Sequence, residues 1–231
     1  MQTYKHRSAN RGLVIGVDEA GRGTWAGPVT ACAFAFLDRR SPGVKEIYGK
    51  LADSKILSPA RRKSLSARLH ELAEGGAVAF AFGQATAQEV DEVNVRQATR
   101  LAMMRALGGL LGPVAAALMG ADIVIDGKDG FDFLGFPKPR YLVRGDTQVQ
   151  EIMAASILAK VHRDDFMGSM DRKYPSYGFA QHKGYGTALH ATALLKRGPC
   201  AQHRKTFAPV KAVLGTASPG RGRRKKTTTQ Q

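Results

Sequence analysis

Apolar and polar positions follow two different periods along this chain, and the switches between them mark its elements. Leu13 to Val17 is an unbroken apolar run closed by two adjacent acids, Asp18 and Glu19, and reads as a buried strand. Pro28 to Leu37, rich in Val, Phe and Ala, is a second strand, and Ala77 to Phe82 a third. Ile123-Val124-Ile125, ending at Asp126-Gly127, is a fourth, and Tyr141-Leu142-Val143, ending near Gly145-Asp146, a fifth. Helical spacing takes over between them. Ser58 and Pro59 supply a cap and a first-turn proline, Leu65, Leu69 and Leu72 share one face, and Gly75-Gly76 stops the element. Thr86 with Glu89 forms a capping-box pattern. It opens a helical region through Ala98, Leu101, Ala102 and Arg105 that fades near Gly108-Gly109. A long helix is predicted from about Val149 to Arg172, with Ala154, Ala155, Ser156 and Ala159 allowing close packing, and another around Ala188 to Lys196. The pattern predicts an α/β domain with five strands and a helical C-terminal portion beginning near residue 174, without internal repeats.

Size and composition narrow the class. The 231 residues suffice for one sizeable core, and 43% hydrophobic with 23% charged residues is ordinary for a globular domain. No apolar run approaches the length of a membrane span and no signal-peptide pattern opens the chain. Cys32 and Cys200 share no metal-ligand spacing and fit idle thiols in a reducing cytoplasm.

The net charge of +16 is unevenly placed: the tail from Ser218 carries +5 and residues 1–11 carry +3, which leaves +8 on the body. Such an excess favours a polyanionic partner. The expected organisation is a flexible segment 1–11, a folded domain 12–214 and a basic, disordered tail 215–231.

The candidate chemistry sits where strands are predicted to stop. Neighbouring side chains on a strand point to opposite faces, so Asp18 and Glu19 are expected to converge only if the strand ends there. Gly21-Arg22-Gly23 follows, a turn able to bend and to bring bare backbone against a ligand. Asp126 and Asp146 close two further strands, although Asp146 reads equally as the N-cap of the next helix. Four hard carboxylates at strand ends suit Mg²⁺ or Mn²⁺ beside a substrate phosphate. Two such ions can activate water and stabilise the leaving oxygen of a phosphodiester.

Six segments, in order, resemble the ribonuclease HII family. They are Gly16-Val17-Asp18-Glu19-Ala20-Gly21-Arg22-Gly23, Asp53-Ser54-Lys55, Ile125-Asp126-Gly127, Arg144-Gly145-Asp146, Ala155 to Asp164, and Tyr177 to Tyr185. The resemblance spans roughly residues 13 to 215. It implies a ribonuclease H-like mixed five-stranded sheet flanked by helices, and an endonuclease that hydrolyses the RNA strand of RNA–DNA hybrids. It also implies cutting 5′ of ribonucleotides embedded in duplex DNA, leaving 3′-hydroxyl and 5′-phosphate ends. Asp18, Glu19, Asp126 and Asp146 become the catalytic, metal-binding set. Gly21, Arg22 and Gly23 are implied to meet the 2′-hydroxyl and the phosphate, the hydroxyl being what marks RNA against DNA. Lys55 and Lys160 are implied to meet backbone phosphates, and Tyr185 the deoxyribose after the ribonucleotide. Read without the family, Lys160 is a solvated lysine and Tyr185 a core tyrosine, and the role of His182 stays open.

The chain departs from the family at Thr24 and Trp25, where proline and leucine are common. The expected partners are hybrid and ribonucleotide-containing DNA duplexes, with no membrane and a monomeric state. The sequence carries no sign of a sliding-clamp partner. Rival readings are a ribonuclease HIII, a non-catalytic hybrid-binding module, and a structure-specific DNA nuclease on the same sheet.

Overall fold

A computed structural model of the chain describes residues 12–52, 54–110 and 120–216; the expected N-terminal segment, Asp53 and tail residues 217–231 lie outside them. Five strands form one mixed sheet: β1 (Val14–Ala20), β2 (Val29–Phe36), β3 (Val78–Ala85), β4 (Asp122–Asp126) and β5 (Arg140–Leu142). Their order is β3-β2-β1-β4-β5. β1 pairs antiparallel with β2, as β2 does with β3, while β1–β4 and β4–β5 are parallel. The mixed five-stranded sheet flanked by helices is the one the resemblance implied.

The helices are α1 (Pro42–Tyr48), α2 (Pro59–Glu74), α3 (Ala87–Gly109), α4 (Gln150–Lys173), α5 (Phe179–His182), α6 (Ala188–Arg197) and α7 (Ala208–Thr216). Three of these were not foreseen: α1, α5 and α7. The first carries the same signal as α2, since Ser41 accepts from the Val44 N–H ahead of a first-turn proline. Gly215 and Thr216, read as tail, are the end of α7. α3 is one helix in the sequence pattern and two joined pieces in the structure. Asn94, with φ of 65°, breaks it, and its side chain accepts from the N–H groups of Arg96 and Gln97 as a cap for the second piece. No helix among the described residues is long and apolar enough to cross a membrane.

Alternation along the strands makes two cores. Ile15, Val17, Ala31, Ala33 and Ile125 face α3, packing with Ala98, Ala102, Met103 and Leu107. Cys32, Phe34 and Phe36 face α1, α2 and α4, packing with Leu65, Leu69, Ala155 and Leu158. At Gly16 a Cβ would collide with the backbone of Glu151, so α4 lies flush across β1 only because that position is glycine. The residue two further along the same face of β1 is Asp18, which is thereby brought beneath the first turns of α4.

Candidate active site

β1 does not end at its acids. It continues through Ala20, with Asp18 opposite Cys32 and Glu19 opposite Ala31. The two carboxylates therefore obey strand alternation and leave on opposite faces, contrary to the convergence expected from the sequence. Convergence comes from neighbouring strands instead. Gly16 pairs with Val124 in the parallel β1–β4 ladder, so Asp18 and Asp126 share a face. Asp146 joins them from a 3₁₀ turn, Gly145–Thr147, that follows β5. It is not a helix cap, since Val149 holds the N-cap position of α4. One carboxylate oxygen from each of Asp18, Asp126 and Asp146 lies within 4.8 Å of the others.

Each acid of this trio is held. Asp18 is buried and accepts from the Glu19 N–H at 2.7 Å and from the Ser156 hydroxyl on α4. Ser156 in turn lies 2.9 Å from the Ser54 hydroxyl, so Ser54 donates to Ser156 and Ser156 to Asp18. Asp126 accepts from the Gly145 N–H at 2.7 Å, which ties the end of β4 to the turn bearing Asp146. Asp146, also buried, accepts from Lys55 Nζ at 2.8 Å. Asp53-Ser54-Lys55 thus reaches the cluster at two described points, Ser54 through Ser156 and Lys55 directly. Asp53 itself lies outside the described residues.

Glu19 stands at the edge. Its Oε1 lies 3.3 Å from Arg22 Nη1, and the same nitrogen lies 2.8 Å from Asp129 Oδ2 in the loop after β4. Burial and the neighbouring negative charges of Glu19 and Asp126 push the Asp18 carboxyl well above its ordinary range. Burial raises Glu19 against the pull of Arg22, and burial with Asp146 raises Asp126. Buried oxygen donors that repel one another and resist ionisation are a set that a hard divalent cation would relieve.

The implied substrate residues border this cluster. Gly21, with φ of 93°, turns the chain, and a Cβ there would collide with the guanidinium of Arg163. Gly23 is exposed, and a Cβ there would meet nothing within 4 Å. Lys160 is half-buried, donating to Asp164 at 2.6 Å with its ammonium 5.6 Å from the Tyr185 ring centre. Neither matches its bland reading: Lys160 is not a solvated side chain, and Tyr185 is 42% exposed rather than core. His182 is buried, donating from Nε2 to the Tyr177 carbonyl at 2.8 Å and accepting the Gly184 N–H at Nδ1. Both ring nitrogens are engaged within the 177–184 segment.

Thr24 and Trp25, the departures from the family pattern, both have work. Thr24 donates to the Gly21 carbonyl at 3.0 Å and accepts from Arg163 Nη2 at 2.9 Å. The Trp25 N–H donates to the Gly184 carbonyl at 2.8 Å, and its ring lies against Gly186 and 5.3 Å from His190. Sequence reasoning missed Ser156, Arg163, Arg204, His190 and His203; an arginine or histidine inside a family segment, or just beyond one, gave no sign that it would be buried.

Comparisons with known proteins identify the family and the fold. The family model for ribonuclease HII matches residues 15–210. A ribonuclease HII of Albidiferax ferrireducens is 48% identical over 208 residues, covering 90% of this chain and 92% of that protein. One from Hyphomonas neptunium is 47% identical over 212 residues, covering 87% and 96%. Among solved structures, ribonuclease H2 of Pyrococcus horikoshii superposes with a TM-score of 0.64 at 22% identity, over 88% of this chain and 98% of that one. Bst-RNase HIII in complex with Mn²⁺ gives a TM-score of 0.70 at 21% identity, over 89% and 70%, and shares the fold. The chain belongs to the ribonuclease HII family and is a ribonuclease H endonuclease, a phosphodiester hydrolase.

Proposed function

We propose that the enzyme cuts the RNA strand of RNA–DNA hybrids and cuts 5′ of single ribonucleotides in duplex DNA, leaving 3′-hydroxyl and 5′-phosphate ends. The observation that carries this reading is the convergence of Asp18, Asp126 and Asp146 within 4.8 Å of one another, just ahead of the Gly21-Arg22-Gly23 turn, which reaches the surface at Gly23. Asp18, Asp126 and Asp146 would hold Mg²⁺ or Mn²⁺, and Glu19, which leaves β1 on the other face and meets Arg22, would be the fourth acid of the set. The donors fit, being carboxylate oxygens in a buried, mutually repelling group. A pair of such ions, when bound, supplies activation of the attacking water and stabilisation of the leaving oxygen.

The remaining work falls to the chain's own residues. Ser54 and Ser156 fix the orientation of Asp18, and the Gly145 N–H fixes Asp126, so the acids are aligned before substrate arrives. The turn at 21–23 offers backbone N–H groups and the Arg22 guanidinium to a 2′-hydroxyl and a phosphate, the combination that distinguishes an RNA linkage. Lys55 and Lys160 add charge for phosphate contacts. Tyr185, exposed and bordered by the Lys160 ammonium, would rest on the sugar that follows.

The test is incubation with Mg²⁺, and separately Mn²⁺, of a DNA duplex holding one ribonucleotide beside an all-DNA duplex of the same sequence. The expected result is one cut on the 5′ side of the ribonucleotide and none in the control. Cutting of both duplexes would mark a structure-specific DNA nuclease. Binding without cutting would mark a non-catalytic module.

A further inference from the structure

Among the described residues two arginines, Arg163 and Arg204, are fully buried with no carboxylate in ion-pair contact, and both are directed at the turn. Arg204, just before α7, donates from Nη2 to the Gly21 carbonyl at 2.7 Å and from Nη1 to the Arg22 carbonyl at 2.8 Å. Its Nε and Nη2 also reach the Gly27 carbonyl at 3.1 and 2.9 Å. Arg163 on α4 donates to the carbonyls of Pro28, Ala26 and Lys183 and to the Thr24 hydroxyl, which itself donates to Gly21. A buried charge without a counter-ion is costly. Here Arg204 is satisfied by carbonyl dipoles of the 21–27 loop, and Arg163 by the carbonyls of Ala26, Pro28 and Lys183 with the Thr24 hydroxyl.

In a trans peptide the C=O and the following N–H point in opposite directions, and no cis peptide occurs among the described residues. Drawing the Gly21 and Arg22 carbonyls inward onto one guanidinium therefore turns the N–H groups of Arg22 and Gly23 outward. Among the described residues neither of these N–H groups donates to another group of the protein. Gly23 faces open space. Successive outward N–H groups make a concavity suited to anions and hydroxyl oxygens.

We propose that Arg204 is a positioning residue for substrate recognition, holding the two peptide planes of the turn so that the Arg22 and Gly23 N–H groups face the ribonucleotide. Arg163 and Thr24 brace the same turn from the side of α4. The inference rests on the functional reading above. A guanidinium suits the task because its planar fork spans several carbonyls at once, whereas an ammonium is a single point. Burial, and then the neighbouring Arg163, pull Arg204 down to about 9. It stays charged at neutral pH, and its field adds to the attraction for an anion at the turn.

The test compares the parent and Arg204→Lys for binding to a duplex with one ribonucleotide and to an all-DNA duplex, with Ca²⁺ replacing Mg²⁺ so that binding is read without cutting. The parent is expected to prefer the ribonucleotide duplex. Arg204→Lys should lose about 10- to 100-fold of affinity for that duplex, the scale of lost charge-assisted hydrogen bonds, and keep its all-DNA affinity within about twofold, as phosphate contacts elsewhere predict. A fall shared equally by both duplexes would mark a merely structural arginine and overturn the proposal, as would an unchanged preference. A parent with no preference would instead overturn the reading of the turn as a ribonucleotide reader. Should the variant not fold, the parent answers alone. The Arg22 and Gly23 amide protons should shift downfield on adding the ribonucleotide duplex and not the all-DNA one; amides that do not move refute the outward orientation.

Discussion

Arg22 and Asp129, 107 residues apart in sequence, are joined at 2.8 Å, and the same guanidinium nitrogen reaches Glu19 at 3.3 Å. The side chain proposed to grip a substrate phosphate is thus already engaged by two carboxylates. Asp129 is further approached by Arg96, whose Nη2 donates to its carbonyl at 2.6 Å. A phosphate arriving at the turn must compete with Asp129 for Arg22. Asp129→Asn is therefore expected to bind duplex about two- to tenfold more tightly at low salt, because one repelling charge and one competitor are gone. Its stability should change by no more than about 1 kcal/mol, since the pair is partly exposed. Fluorescence anisotropy with a labelled hybrid would decide the matter. Weaker binding by the variant would mean that Asp129 orients Arg22 for the substrate instead.

Removal of one acid from the trio should separate activity from stability. Asp18 and Asp126 are both held above their ordinary carboxyl range, by burial first and then by neighbouring acids. Asparagine keeps an oxygen able to accept from the Ser156 hydroxyl or the Gly145 N–H and removes the repulsion. Asp18→Asn and Asp126→Asn are expected to lose cleavage by orders of magnitude and Mn²⁺ binding with it, yet melt at or above the parent temperature. Calorimetric Mn²⁺ titration and thermal melts measure both. Near-normal cleavage by either variant would remove these acids from the catalytic set.

The sequence carried the sheet well, because its strands are apolar runs with clear stops, but it misled on how the acids meet. Two adjacent acids at the end of an apolar run invite the idea of a strand ending, whereas β1 runs on and alternation sends Asp18 and Glu19 apart. What brings Asp126 to Asp18 is the register of β1 against β4, and register between distant strands is a tertiary property. The break at Asn94 was invisible for a related reason: asparagine is unremarkable in a helical pattern until its φ of 65° is seen. Arg163 and Arg204 are the largest fully buried side chains among the described residues, and no single-sequence rule buries an arginine. Their burial follows from a loop that offers carbonyls in place of acids, which only the folded chain assembles.

A buried histidine pair should make stability fall in mild acid. His190 Nδ1 donates to the Tyr185 carbonyl at 2.9 Å, and its Nε2 lies 3.0 Å from His203 Nε2. His203 Nδ1 accepts the Cys200 N–H at 3.0 Å, so both rings fit the neutral form, with His203 donating to His190. Burial lowers both to about 4, helped at His203 by His190. The unfolded chain takes up protons near pH 6.5 and the folded chain only near 4. The contribution is thus complete above about 6.5 and is lost as pH falls through that window, on the order of 2–5 kcal/mol for the pair. The raised carboxyls of the trio act in the opposite sense, so the useful quantity is a difference. Urea unfolding of the parent and His190→Gln at pH 7, 6, 5 and 4 should show the variant less stable at pH 7 and flatter below. Parallel curves would show that the pair does not titrate on unfolding.

The position of Tyr185 leads to a prediction about which substrates the enzyme separates. The residue is 42% exposed, its ring centre lies 5.6 Å from the Lys160 ammonium and 5.9 Å from the Arg163 guanidinium, and its carbonyl is fixed by His190. A ring so braced is a firm surface, and the sugar resting on it must lack the volume of a 2′-hydroxyl to lie flat. Misplacement there would carry through to the scissile phosphate, where small displacements are costly. Tyr185→Ala is expected to slow cutting at a single embedded ribonucleotide much more than cutting within a continuous hybrid, narrowing the ratio between them. Arg22→Ala should slow both, because its partner is a phosphate present in each. Single-turnover rates on the two substrates for parent, Tyr185→Ala and Arg22→Ala provide the comparison. If Tyr185→Ala lowers both rates by one factor, the tyrosine only positions the duplex, and discrimination at the junction must arise from the turn at 21–23 alone.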